Sequence, residues 1–203
     1  HMQIDDGNLF FSPSDLIIYM ESAFASHMEH NRLVDDTTRE LVDPEDLMLK
    51  TLQQRGFDHE ETFLASLKTE GKAVVEIERA SREAMLKQTK TAMANGADII
   101  AQAYLQLDNF GGLADFLVKV PGGSNLGDFH YEVWDTKLSR KMKPYFAIQL
   151  CCYAEMLESE QGLKPKNVSV VLGNNEIIPL RVNVYFSYYS ALKASFIQFH
   201  RDW

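Results

Sequence analysis

Asp115 interrupts the apolar stretch LADFLVKV, and Asp135 stands two residues ahead of Lys137 in YEVWDTKL. Side chains alternate across a strand. Val133, Asp135 and Lys137 therefore share one face, and Glu132, Trp134 and Thr136 the other. If the two stretches pair as an antiparallel hairpin, Asp115 approaches Asp135. Two carboxylates so placed could hold a hard cation such as Mg²⁺, with the carbonyl of Thr136 as a further oxygen ligand. Lys137 could then orient or deprotonate a water, or stabilise charge on a phosphate. The plain alternative is an exposed strand ion pair with a charge near a turn. The short pattern D-x-K is common by chance and, alone, favours that alternative. Asp115 counts against it, because a carboxylate among core-type residues is costly to bury unpaired.

Further along, Gln149 and Tyr153 lie four apart in IQLCCYAEML and share one helix face. Either could bond a phosphate or a water, although alone they read as a surface glutamine and an amphipathic core tyrosine. Lys137, Arg140, Lys141 and Lys143 follow the motif closely and could contact a phosphate backbone. Gln102 is a weaker candidate for a cleft wall. Glu132 should face away from Asp135, and Glu60 reads as a charge favoured at a helix N-terminus.

The elements that must position these residues run in a mixed order. A helix opens at FFSPSDLIIYMESAF, with Ser12 as N-cap, Pro13 in the first turn and Leu16, Ile17, Met20 and Phe24 at helical spacing. A polar loop over 31–43 precedes a helix capped by Asp43, started at Pro44 and stopped at Gly56. A third helix then ends at Gly71. Strands are predicted at 73–77, 98–107, 112–120, 130–138, 167–173 and 177–186, with a loop over 121–129. Helices are predicted over 80–96, 144–162 and from 187 to the C-terminus. The result is an α/β (α+β) fold with a central mixed sheet flanked by helices and an N-terminal helical addition. Residues 1–2 read as a cloning scar, 3–70 as the N-terminal helical part and 71–203 as the core of one structural domain.

The 203 residues carry a net charge of −9, which argues against nucleic-acid binding by a broad basic face. It leaves open a local cleft that meets phosphates through cations. No apolar run has the length of a membrane span and no signal peptide is visible, so neither a membrane nor export is expected. Cys151 and Cys152 are adjacent and fit neither a disulfide nor a metal-cluster spacing, which suits a cytoplasmic location.

The ordered segments GGLADFLVKV, YEVWDTKL and QLCCYAEML resemble the RecB-like nucleases of the PD-(D/E)XK superfamily. RGFDHEETFLASL resembles their upstream histidine motif, with Gly56 and His59 at a helix start. The resemblance covers about Gly56 to Tyr153 and implies a restriction-endonuclease-like core, helix–three strands–helix–strand. It implies metal ligation by His59, Asp115, Asp135 and the Thr136 carbonyl, with Lys137 as the catalytic lysine. Gln149 and Tyr153 would support the site. A mixed imidazole and carboxylate set suits Mg²⁺ or Mn²⁺. The four cysteines that some relatives use for an iron–sulfur cluster are missing, so no cluster is expected. The opening FFSPSDLIIYMESAFASHME is similar to the N-terminal nuclease domain of bacterial proteins that carry fused helicase or nuclease modules. The implied activity is a DNase acting on single-stranded DNA or DNA ends, in repair, recombination or phage defence. The alternative is a nuclease fold without activity that binds DNA or a protein partner. The remaining histidines, His1, His27, His30, His130 and His200, lack a comparable context.

Overall fold

The computed structural model describes residues 2–23, 26, 30, 33 and 47–202. The expected positions Phe24, Asp43, Pro44, His1 and His27, and most of the 31–43 loop, lie outside the described residues. The chain opens with an antiparallel hairpin of β1 (Gln3–Asp5) and β2 (Asn8–Phe10), which the sequence reading did not foresee. Asp6 and Gly7, at φ 47° and 79°, make its turn. Helix α1 (Pro13–Glu21) follows, with Ser12 as N-cap and Pro13 in its first turn. The Asp15 carboxylate accepts a hydrogen bond from the Ser12 amide at 2.7 Å.

Helix α2 (Leu47–Thr69) is one unbroken helix where two were expected. Gly56 sits inside it in helical conformation. A glycine there costs only about 1 kcal/mol relative to alanine, too little to break a helix that packs at its far end. The stop comes at Gly71, whose φ of 79° is the left-handed geometry a helix end needs. His59 is therefore a mid-helix residue.

Strand β3 (Val74–Glu76) and helix α3 (Arg82–Ala94) lead into a meander of β4 (Ile99–Leu107), β5 (Phe110–Ser124) and β6 (Gly127–Thr136). The loop expected at 121–129 is instead the tip of the β5–β6 hairpin, with Ser124 opposite Gly127. Gly122 and Gly127, at φ 129° and 139°, bend paired strands rather than end them. Helix α4 (Pro144–Gln161) ends at Gly162, φ 70°. Strands β7 (Asn167–Val171) and β8 (Ile177–Arg181) precede helix α5 (Val182–Arg201). The expected strand over 177–186 therefore stops at Arg181. Its β-branched and aromatic residues read as strand, yet Val182, Tyr185, Phe186 and Tyr189 recur at helical spacing, and that amphipathic stripe prevails.

The six long-range strands form one mixed sheet in the order β3-β4-β5-β6-β7-β8. β3–β4 and β6–β7 are parallel and the other pairs antiparallel. The larger core joins the sheet to α1, α3, α4 and α5, through residues such as Ile100, Leu117, Val133, Met93, Leu150 and Phe196. Phe11 completes it from the N-terminal side, its ring edge-on to Phe196 at 4.7 Å. On the other face Phe63 and Leu67 of α2 pack on Ile99, Ala101, Phe116 and Val171. No described helix is long and apolar enough to cross a membrane.

Candidate active site

The β5–β6 register aligns Phe116 with Trp134, which brings Asp115 and Asp135 side by side at the end of β6. The Thr136 amide and hydroxyl both donate to Oδ2 of Asp115, at 2.8 and 2.9 Å. The ammonium of Lys137 lies 2.9 Å from Oδ2 of Asp135 and donates to Oε1 of Gln149 at 2.8 Å. The Tyr153 hydroxyl donates to the Leu113 carbonyl at 2.9 Å. These groups line one cleft of about 460 Å³, closed on the opposite wall by Gln53, Gly56, Phe57 and Glu60 of α2. Asp115, Asp135, Thr136, Lys137, Gln149 and Tyr153 are thus brought together.

His59 is not among the cleft-lining residues. Its Nε2 stands 3.4 Å from the carbonyl of Val171, beside β7. Its neighbour Glu60 faces the carboxylates instead, and the side-chain amide of Gln102 donates to it. Gln102 reaches Glu60 from a left-handed backbone, φ 55°, in the middle of β4. Such a conformation is disfavoured for a residue with a Cβ by about 1–2 kcal/mol. Glu60 is the residue that the sequence reading missed. A signal was present: Glu60 precedes Phe63 and Leu67 by three and seven positions, on the stripe that α2 buries. Glu132 lies opposite Val118, away from the cleft, and His130 bonds the Gly122 carbonyl at the hairpin tip. Arg140, Lys141 and Lys143 are exposed on the segment after β6.

The electrostatics are those of crowded carboxylates. Burial, then the charges of Asp135 and Glu60, push the Asp115 carboxyl well above its ordinary range. Burial also raises Glu60, and Asp135 adds to the rise. Burial alone would lower Lys137, but the Asp135 and Asp115 charges outweigh it and the net shift is upward. Lys137 is therefore an ammonium at neutral pH. Burial raises the Tyr153 hydroxyl well above its usual value, so it stays neutral.

Among the described residues, no three His, Cys, Asp or Glu side chains form a preassembled metal cage. Mg²⁺ needs none, since it is commonly held by one or two carboxylates plus waters and phosphates. The donors fit such an ion. The Oδ2 of Asp135 is buried with only the Lys137 ammonium beside it at 2.9 Å, and the charge that raises Asp115 is what a divalent cation would neutralise. With His59 turned to Val171 the donors in the cleft are all oxygens, a set that suits Mg²⁺ and Mn²⁺.

No protein-family model matches the chain, and no curated protein matches it.

Proposed function

We propose that this chain is a divalent-metal-dependent nuclease that hydrolyses DNA phosphodiester bonds, on single strands or at ends. The observation that carries the reading is the convergence of Glu60, Asp115, Asp135 and a Gln149-held Lys137 in one cleft. The helix–three strands–helix–strand order of α3, β4–β6, α4 and β7 supports a PD-(D/E)XK core. A cytoplasmic place in repair, recombination or phage defence, with fused helicase or nuclease modules, belongs to the same reading.

Asp115 and Asp135, with the Thr136 carbonyl, would hold the cation, and Glu60 would face it from α2. When bound, it supplies polarisation of a phosphoryl oxygen and a water of lowered pKa. Lys137 sets a fixed positive charge at the wall, where negative charge develops on the phosphate. Gln149 holds the ammonium in place, which removes the cost of ordering a long side chain during reaction. Thr136 locks the Asp115 carboxylate by two hydrogen bonds. Tyr153 stays neutral and fixes the β5 backbone through Leu113.

Cleavage of end-labelled single- and double-stranded DNA, with Mg²⁺ or Mn²⁺ and with EDTA, tests this. Lys137→Ala and Asp115→Ala are expected to lose activity on the order of 10²–10³-fold, as when a charge-stabilising group is removed. Wild-type rates in both variants would defeat the assignment. A wild-type chain that neither cuts nor takes up Mn²⁺ in calorimetry would instead be the inactive binding module.

A further inference from the structure

The hydrogen bond from Tyr153 to Leu113 is the wall between two clefts. On its other side lies a space of about 360 Å³ lined by Ser12, Ser14, Arg79, Arg82 and Tyr104, sharing Leu113 and Tyr153 with the carboxylate cleft. Its chemistry is the reverse of its neighbour's. No acidic side chain among the described residues lines it, in a chain of net charge −9.

Arg82 is seated there. Its guanidinium carbon sits 4.0 Å above the Phe10 ring, it pairs with Asp5, and its charge faces the Tyr104 hydroxyl. Arg79 is exposed at the rim. Helix α1 starts at the same cleft, with the Ser12 and Ser14 hydroxyls 2.8 Å apart and the Asp15 carboxylate folded back onto Ser12. Gly111 and Gly112 form part of the lining; a Cβ on Gly111 would stand 2.6 Å from the Tyr104 hydroxyl. Guanidinium forks and hydroxyls lining one cleft are together a phosphate-binding chemistry.

We propose that this cleft binds a phosphate group of the nucleic acid, adjacent along the strand to the bond held over Asp115 and Asp135. The proposal rests on the nuclease reading for the identity of its ligand. The phosphate is either an internal diester or a terminal monoester, and the test separates them.

The probes are internally labelled thymidine oligonucleotides carrying a 5′-phosphate, a 3′-phosphate or neither. Binding is followed by fluorescence anisotropy in EDTA, where nothing is cut. Arg79→Gln/Arg82→Gln removes both cations. Ser14→Asp puts a carboxylate in the cleft while suiting a helix N-terminus, so it tests the site even if loss of Arg82 harms folding. Circular dichroism checks both folds. The expected result is about tenfold weaker binding for each, with the double variant's log Kd–log salt slope reduced by about 0.7 for each phosphate no longer neutralised. A loss confined to one phosphorylated end assigns a terminal monoester. An equal loss on all three probes assigns an internal diester. Folded variants that bind like wild type, or a wild-type chain that binds none of the probes, overturn the proposal. Because binding is read without metal, a chain that binds through Arg82 but never cuts defeats the nuclease reading alone. A chain that cuts with Lys137 but ignores both variants defeats this site alone.

Discussion

Lys137 is gripped from two sides, by the Asp135 carboxylate and the Gln149 amide, and its side chain is only 22% exposed. That grip fixes where positive charge stands in the cleft. The spacing of Asp115, Asp135, Lys137, Gln149 and Tyr153 made their meeting legible in the sequence, because strand alternation and the four-residue helix repeat are geometric rules. Glu60 was not legible for a connected reason. Taking Gly56 as a helix stop placed Glu60 in a first turn, where a carboxylate needs no further explanation. In the unbroken α2 it is a mid-helix acid on a buried stripe. His59 and Glu60 therefore separate by experiment. Glu60→Gln is expected to reduce metal-dependent cleavage about 10–100-fold, the range for groups that support a metal site. His59→Ala should stay close to wild type in the same assay.

At the scale of elements, Gly112 lets β5, α1 and α4 meet. A Cβ there would lie 2.8 Å from the Tyr153 hydroxyl and 3.1 Å from Pro13 Cδ. Gly112→Ala should cost about 1–3 kcal/mol in urea unfolding, as overpacking does. It should also slow cleavage, because it pushes Tyr153 from the wall shared by the two clefts. Element boundaries were less legible than element order. Val182–Phe186 carries residues that favour strands, but only packing against the N-terminal elements and α4 shows that a helical stripe buries Val182 and Tyr189 together. The hairpin tip at 122–127 was lost in the same way, since glycines that bend a paired strand look like glycines that end one.

Across the whole molecule, the two ends of the described chain meet in a buried aromatic cluster. His200 of α5 lies among Phe11, Phe196 and Phe199, with its Nδ1 2.8 Å from Nδ1 of His30 and its Nε2 3.3 Å from the Ser26 hydroxyl. At that ring–ring contact one imidazole donates and the other accepts, so the two rings are not both protonated. Burial, then the His30 ring, hold His200 down at about 4. Its unfolded value is about 6.5, so the unfolded chain binds the proton more readily. The stabilising contribution is complete above pH 6.5 and is lost as pH falls towards 4. Thermal melts should show a midpoint that drops across that window, and His200→Phe should flatten the drop.

The 23 residues of α2 span about 34 Å, yet its two buried side chains, Phe63 and Leu67, both fall in the C-terminal half. The other half, with Leu49, Leu52 and Phe57 exposed, supplies Gln53, Gly56 and Phe57 to the cleft wall. Among the described residues such a rod is anchored on the sheet at its C-terminal half and carries the cleft wall nearer the other end. Backbone amides should exchange with deuterium in a gradient, slowest near 63–67 and fastest towards residue 49. An added oligonucleotide that rests on Phe57 should slow the fast end selectively, turning the gradient into a readout of strand occupancy.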